Sequence, residues 1–243
     1  MDLKKLIGKE SEKLIKKATS KETVDQVKKA VSPESLKGMT KSVASNSVTL
    51  MALRCSYPAY EEHFKVNSKL EGNSLGFIID QENCPNFAIG GKHMDGVGCE
   101  IAATYNAIKL AGGNVKIAEI IREFEKEGYL MRAITVGDLG SDPYAIGSYM
   151  KAHKLHFTKL SSYDEMAKTV DSGIGRSTGI YIVSKWNTGN ITDGLHTICF
   201  YTSNKDNNVN VYNLHPGQTS VLKRKDFESL VEEARFIVGY KLG

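Results

Sequence analysis

Three residues stand in settings where carbonyl chemistry could be done: Cys99, His196 and Asn213. Cys99 follows Gly96-Val97-Gly98 and opens a segment to Leu110 in which Ala102, Tyr105 and Ile108 recur on one helical face before a Gly112-Gly113 stop. A cysteine in the first turn of a helix meets the positive end of the helix dipole and unpaired amides. Both favour thiolate over thiol, so the position predicts a lowered thiol pKa and a sulfur able to attack a carbonyl. The flanking glycines would leave room for a substrate backbone. A small core cysteine that begins a buried helix fits the same local pattern.

A thiolate nucleophile needs a base that can later protonate a leaving amine, which near neutral pH means histidine. Of the six histidines, His196 alone falls inside a predicted core strand, within Leu195-His196-Thr197-Ile198-Cys199-Phe200-Tyr201. Alternation gives it Ile198 and Phe200 as same-face neighbours and predicts a half-buried ring. A group to orient that ring should come from the adjacent strand of a hairpin, and Asn213 ends the next one, Val209-Asn210-Val211-Tyr212-Asn213. The plainer readings are a satisfied core histidine and a turn asparagine ahead of Leu214-His215-Pro216-Gly217.

Taken together, Gly98-Cys99-Glu100 at a helix start, Gly194-Leu195-His196 about a hundred residues later and then Val211-Tyr212-Asn213 make the chain resemble the C39-like branch of the papain-like cysteine peptidases. The resemblance covers residues 81–242. It implies Cys99 as nucleophile, His196 as general base and acid, and Asn213 as orienting residue in place of the aspartate more usual in this branch. It also implies an oxyanion hole built from the Cys99 amide and an upstream glutamine side chain. Gln81, 18 residues before Cys99, is the first candidate, across a longer loop than the family pattern has; Asn83, Asn86 and His93 are substitutes.

The elements that must position these residues follow an α+β order. Residues 43–98 read as irregular, with a strand at 75–79. Helices follow at 99–110, from about 115 with Asn114 as cap, after Asp142-Pro143, and at Ser162, where Glu165 completes a capping box. Beyond Gly179 the period falls to two, and strands are expected at 179–184, 195–201, 209–213, 219–222 and 236–242, interrupted by a helix at 227–234. The expected fold class is papain-like: a helical first half carrying the nucleophile helix, packed against a mostly antiparallel sheet. Residues 1–42 read as two or three Lys-rich amphipathic helices forming an extension to the peptidase domain at 43–243. This extension is expected to pack on the main body, inhibit it, or dock a partner or membrane surface.

Charge supports that division. Residues 1–42 hold 11 Lys against 6 acidic residues, a balance of +5, whereas the remainder holds 21 basic and 22 acidic residues, a balance of −1. A surplus confined to one Lys-rich segment leaves the body without a nucleic-acid footprint. Four scattered cysteines make no disulfide framework, no apolar run reaches the roughly 18 residues of a membrane span, and no secretory signal is visible, so the cytoplasm is the expected compartment. No cofactor is expected. Gly96-Val97-Gly98 lacks the third glycine and the βαβ alternation of a dinucleotide loop, and His196 and Cys199, three apart on a strand, face opposite sides and cannot share a metal. A cysteine peptidase acting on a peptide or protein is the favoured function. An acyl-transferase variant and an inactive papain-like fold that binds a peptide or protein partner are the alternatives.

Overall fold

The computed structural model describes residues 52–72, 75–133, 137–174, 177–188, 194–205, 208–214 and 220–243. The proposed extension at 1–42 lies outside them. The principal sheet has six strands: β6 (Phe157–Leu160), β7 (Gly179–Trp186), β8 (Leu195–Thr202), β9 (Asn208–Tyr212), β10 (Val221–Lys223) and β11 (Phe236–Leu242). They run in the order β10-β9-β8-β7-β11-β6, every neighbouring pair antiparallel. Helix and antiparallel sheet together make the α+β class expected from the sequence.

Helices cover both faces of this sheet, which is why β7 and β8 are buried almost end to end. On one face, Ile182 and Cys199 join the core cluster of α3 (Cys99–Leu110), α4 (Ile117–Lys126) and α5 (Ala145–Ala152). On the other, Tyr181, Val183, Ile198 and Phe200 pack with Met166 and Val170 of α6 (Tyr163–Gly173) and Phe227 of α7 (Arg224–Leu230). Tyr181 and Phe200 stack with centroids 4.9 Å apart across β7 and β8. The helix expected at 227–234 is thus found earlier, at 224–230.

The region from 52 to 98, expected to be irregular, holds β1 (Ala52–Cys55), α1 (Tyr60–Glu71), the two-residue strands β2 (Ala88–Ile89) and β3 (Lys92–His93), and a single helical turn, α2 (Met94–Val97). β1 pairs with β4 (Leu130–Ala133), which pairs with β5 (Gly137–Ser141), in a second antiparallel sheet. Residues 75–79 are not a strand. Their backbone is instead held by side chains and by the chain beyond β9: Ile78 N donates to Asn106 Oδ1 at 2.9 Å, Asn106 Nδ2 donates to Ile78 O at 2.8 Å, and Asn213 N donates to Ile78 O at 3.2 Å.

Helix ends show which caps were local. Ser162 Oγ accepts from Glu165 N at 3.2 Å, as the capping box predicts. The second helix starts at Ile117 and not under an Asn114 cap. Its first amides donate to the Glu71 carboxylate from the end of α1, Ile117 N at 2.9 Å and Ala118 N at 3.2 Å. A cap delivered from 46 residues upstream leaves no mark in the sequence around the helix.

Candidate functional site

Cys99 is the first residue of α3, buried against β8. Gly98 before it is required for packing, not for substrate access: a Cβ there would lie 2.2 Å from Met94 Sδ and 2.7 Å from Met94 O. His196 sits near the start of β8 and is buried to 6% exposure, deeper than the half-burial expected. Asn213 directly follows β9, fully buried, at φ 62°, a left-handed conformation that asparagine tolerates better than most residues.

Asn213 ties the site together. Its Nδ2 donates to Gln81 Oε1 at 3.0 Å, to Thr197 O at 3.0 Å and, more weakly, to Cys99 O at 3.4 Å, while its Oδ1 accepts from Gln81 N at 3.1 Å. Its backbone carbonyl faces His196 Nε2 at 2.5 Å. A carbonyl can only accept, so Nε2 carries a proton, and in the neutral ring Nδ1 is the unprotonated nitrogen. The orienting contact is therefore made by the main chain of Asn213, and its side chain holds Gln81 and the turn at Cys99. Gln81 and Cys99 meet at this side-chain amide, whereas His196 reaches the same residue only through its main-chain carbonyl.

The 17 residues between Gln81 and Cys99 include the β2–β3 hairpin and the turn of α2, which bring the chain back on itself. Gln81 Nε2 donates to Asp95 O at 2.8 Å, closing this loop and using one of the two amide hydrogens. Gln81 lies in a single 3-10 turn, Gln81–Asn83, capped by the Asp80 side chain.

The thiol departs from expectation. Cys99 Sγ donates to Glu100 Oε2 at 3.2 Å, and among the described residues no hydrogen bond joins it to His196. Burial, then the adjacent Glu100 carboxylate, push the thiol pKa well up; Thr197 acts the other way but is outweighed. The expected lowering at the helix N-terminus is thus overturned, because desolvation and a neighbouring anion exceed the dipole's effect. Glu100 is itself pushed up from 4.5 to about 7, by burial first.

Glu100, Thr197 and Ser184 were missed in the sequence. Glu100 is 1% exposed; Thr197 Oγ1 donates to Glu100 Oε1 at 3.3 Å and shares a 2.8 Å hydrogen bond with Ser184 Oγ from β7. Thr197 belongs to the sheet face covered by α3, and alternation assigns His196 to the other face, with Ile198 and Phe200. Lys185, the register partner of His196, is also buried, and burial lowers its amine pKa, with Arg235 adding to the effect. Trp186 ends β7 opposite Leu195. The remaining cysteines are less suited to attack: burial and Asp80 raise the Cys84 thiol to about 11, and burial alone raises Cys199. The oxyanion substitutes contribute little: Asn83 caps its own turn by donating to Asp80 Oδ2, and His93 is exposed on β3.

No family model matches the chain, and no curated protein matches it either. Among solved structures it is similar to one described as the Salmonella effector SpvD, G161 variant. The two share 11% identity at a TM-score of 0.35, over 96% of this chain and 98% of that one. A likeness this distant carries no argument. Among the described residues, no helix is long and apolar enough to cross a membrane, and no group of three or more His, Cys, Asp and Glu is placed to hold a metal ion.

Proposed function

We propose that the chain is a papain-like thiol hydrolase, of the C39-like branch, that cleaves an amide bond in a peptide or protein through an acyl-enzyme. The observation that carries this reading is that the buried residue Asn213 touches Gln81 and Cys99 through its side-chain amide and His196 through its main-chain carbonyl. In the reaction, the Cys99 side chain turns from Glu100 toward the substrate, and the thiol proton passes to His196, whose ring swings around the start of β8 from the opposite sheet face to receive it. Sulfur adds to the scissile carbonyl, and the resulting imidazolium returns the proton to the departing amine. A water deprotonated by His196 then releases the acid and regenerates the thiol. The Cys99 amide and the second hydrogen of Gln81 Nε2 are the donors for the oxyanion.

One pair of observations favours a second reading, a peptide-binding protein without turnover. The resting thiol is held protonated, and Gln81 Nε2 is engaged by Asp95 O. A mixture of end-capped peptides analysed by mass spectrometry separates the two. The hydrolase reading expects fragments with new amino termini from the wild-type protein and none from Cys99→Ala. Peptides retained intact by both proteins would support binding alone.

A further inference from the structure

Beyond the triad, the site contains a buried proton chain that the peptidase reading does not use. Ser184 on β7, Thr197 on β8 and Glu100 on α3 are fully or almost fully buried, and their side chains connect in series to the nucleophile. Thr197 Oγ1 reaches Glu100 Oε1 at 3.3 Å, so its second contact, with Ser184 Oγ at 2.8 Å, must be one in which Ser184 donates. Cys99 Sγ reaches the other carboxylate oxygen at 3.2 Å. Both oxygens of Glu100 thus accept from a neutral donor, an arrangement suited to an ionised carboxylate.

We propose that Glu100 is a positioning residue that latches the Cys99 thiol in a protonated resting state, hydrogen-bonded to the Glu100 carboxylate, and so sets the pH range in which the nucleophile is released. The proposal rests on the reading of Cys99 as nucleophile. The charged neighbour acting on the carboxylate is Asp142, whose carboxylate is paired with Arg54 at 2.6 Å; from β7 and β8 the facing groups are the neutral hydroxyls of Ser184 and Thr197. Because Glu100 ionises near neutrality, its charge opposes thiolate formation in the range where the thiol would otherwise begin to ionise. Thr197, beside the sulfur, acts in the opposite sense and lowers the thiol pKa.

These opposed signs make the latch testable without any substrate. Iodoacetamide alkylation of Cys99 is followed by mass spectrometry against pH for the full-length wild type, Glu100→Gln and Thr197→Val, with circular dichroism as a check on folding. Glu100→Gln keeps the shape and removes the charge. Its profile should move to lower pH, with alkylation at pH 8 about tenfold faster or more, the change in thiolate fraction produced by one pKa unit. Thr197→Val should move the profile to higher pH. An unchanged Glu100→Gln profile, or acceleration in both variants as simple loosening would produce, overturns the latch. If Glu100→Gln does not fold, the sign of the Thr197→Val shift decides. A latch that passes while no peptide is cleaved would remove the hydrolase reading and leave the thiol chemistry standing.

Discussion

Replacing Asn213 with aspartate should cost the fold about 3–5 kcal/mol at pH 8, the scale of an uncompensated buried charge. The amide nitrogen of Asn213 faces three oxygens, those of Gln81, Thr197 and Cys99, and a carboxylate there would turn an acceptor on each of them. Only the opposite oxygen, which accepts from Gln81 N, would keep its partner. The site therefore has a physical reason for carrying asparagine and not aspartate at this position. Burial would raise the pKa of the new carboxyl in the fold. The penalty is absent while the acid stays protonated in both states and grows as pH rises through its ordinary range. Thermal melts should show a midpoint lowered by about 10 °C or more at pH 8, narrowing near pH 4, given about 2–4 °C per kcal/mol for a chain of this size. A variant that melts with the wild type at both pH values would mean that the hydrogen-bond network drawn around Asn213 is wrong.

His196→Ala should lower turnover of any cleaved peptide by about 10³-fold or more while leaving KM little changed, because it removes proton transfer and not a binding group. Stability should change far less than in the Asn213 variant, since the Nε2 hydrogen bond of His196 goes to a backbone carbonyl and its loss buries no new charge. His196→Gln provides a control. It retains a donor toward the Asn213 carbonyl without a titratable base, and it should be as inactive as the alanine variant. Activity surviving in either variant would transfer the base to another group.

How much of this was legible in the sequence depended on where each determinant lies. The nucleophile helix is found at its expected bounds because its stop signal and apolar face are local. The start of α4 was misplaced because its cap, Glu71, comes from another helix. Helix α1 went unread because its apolar periodicity is thin: Val66 and Leu70 are exposed, and its deepest positions are Asn67 and Glu71, buried by hydrogen bonding. Residues 75–79 have strand-like composition, but a side chain, Asn106, takes the place of a strand partner. The same distinction holds within the site. Cys99, His196, Asn213 and Gln81 could be picked out by type and spacing; Cys99 and Gln81 hydrogen-bond to the Asn213 side chain, and His196 contacts its main-chain carbonyl without joining Cys99. The Glu100–Thr197–Ser184 chain could not, since its contacts join three elements up to 97 residues apart. Without them the helix N-terminus alone gave the wrong sign for the thiol pKa.

The central claim is that Cys99, served by His196, is the attacking group, and an electrophile mapped to its site of attachment tests it most directly. The intact protein is incubated with a mixture of peptidyl chloromethyl ketones, digested and analysed by mass spectrometry. The account predicts a thioether at Cys99 formed well ahead of any at the partly exposed Cys55 and Cys84, and its loss in His196→Ala. Labelling spread evenly over the cysteines, or labelling of Cys99 that persists unchanged without His196, would contradict it.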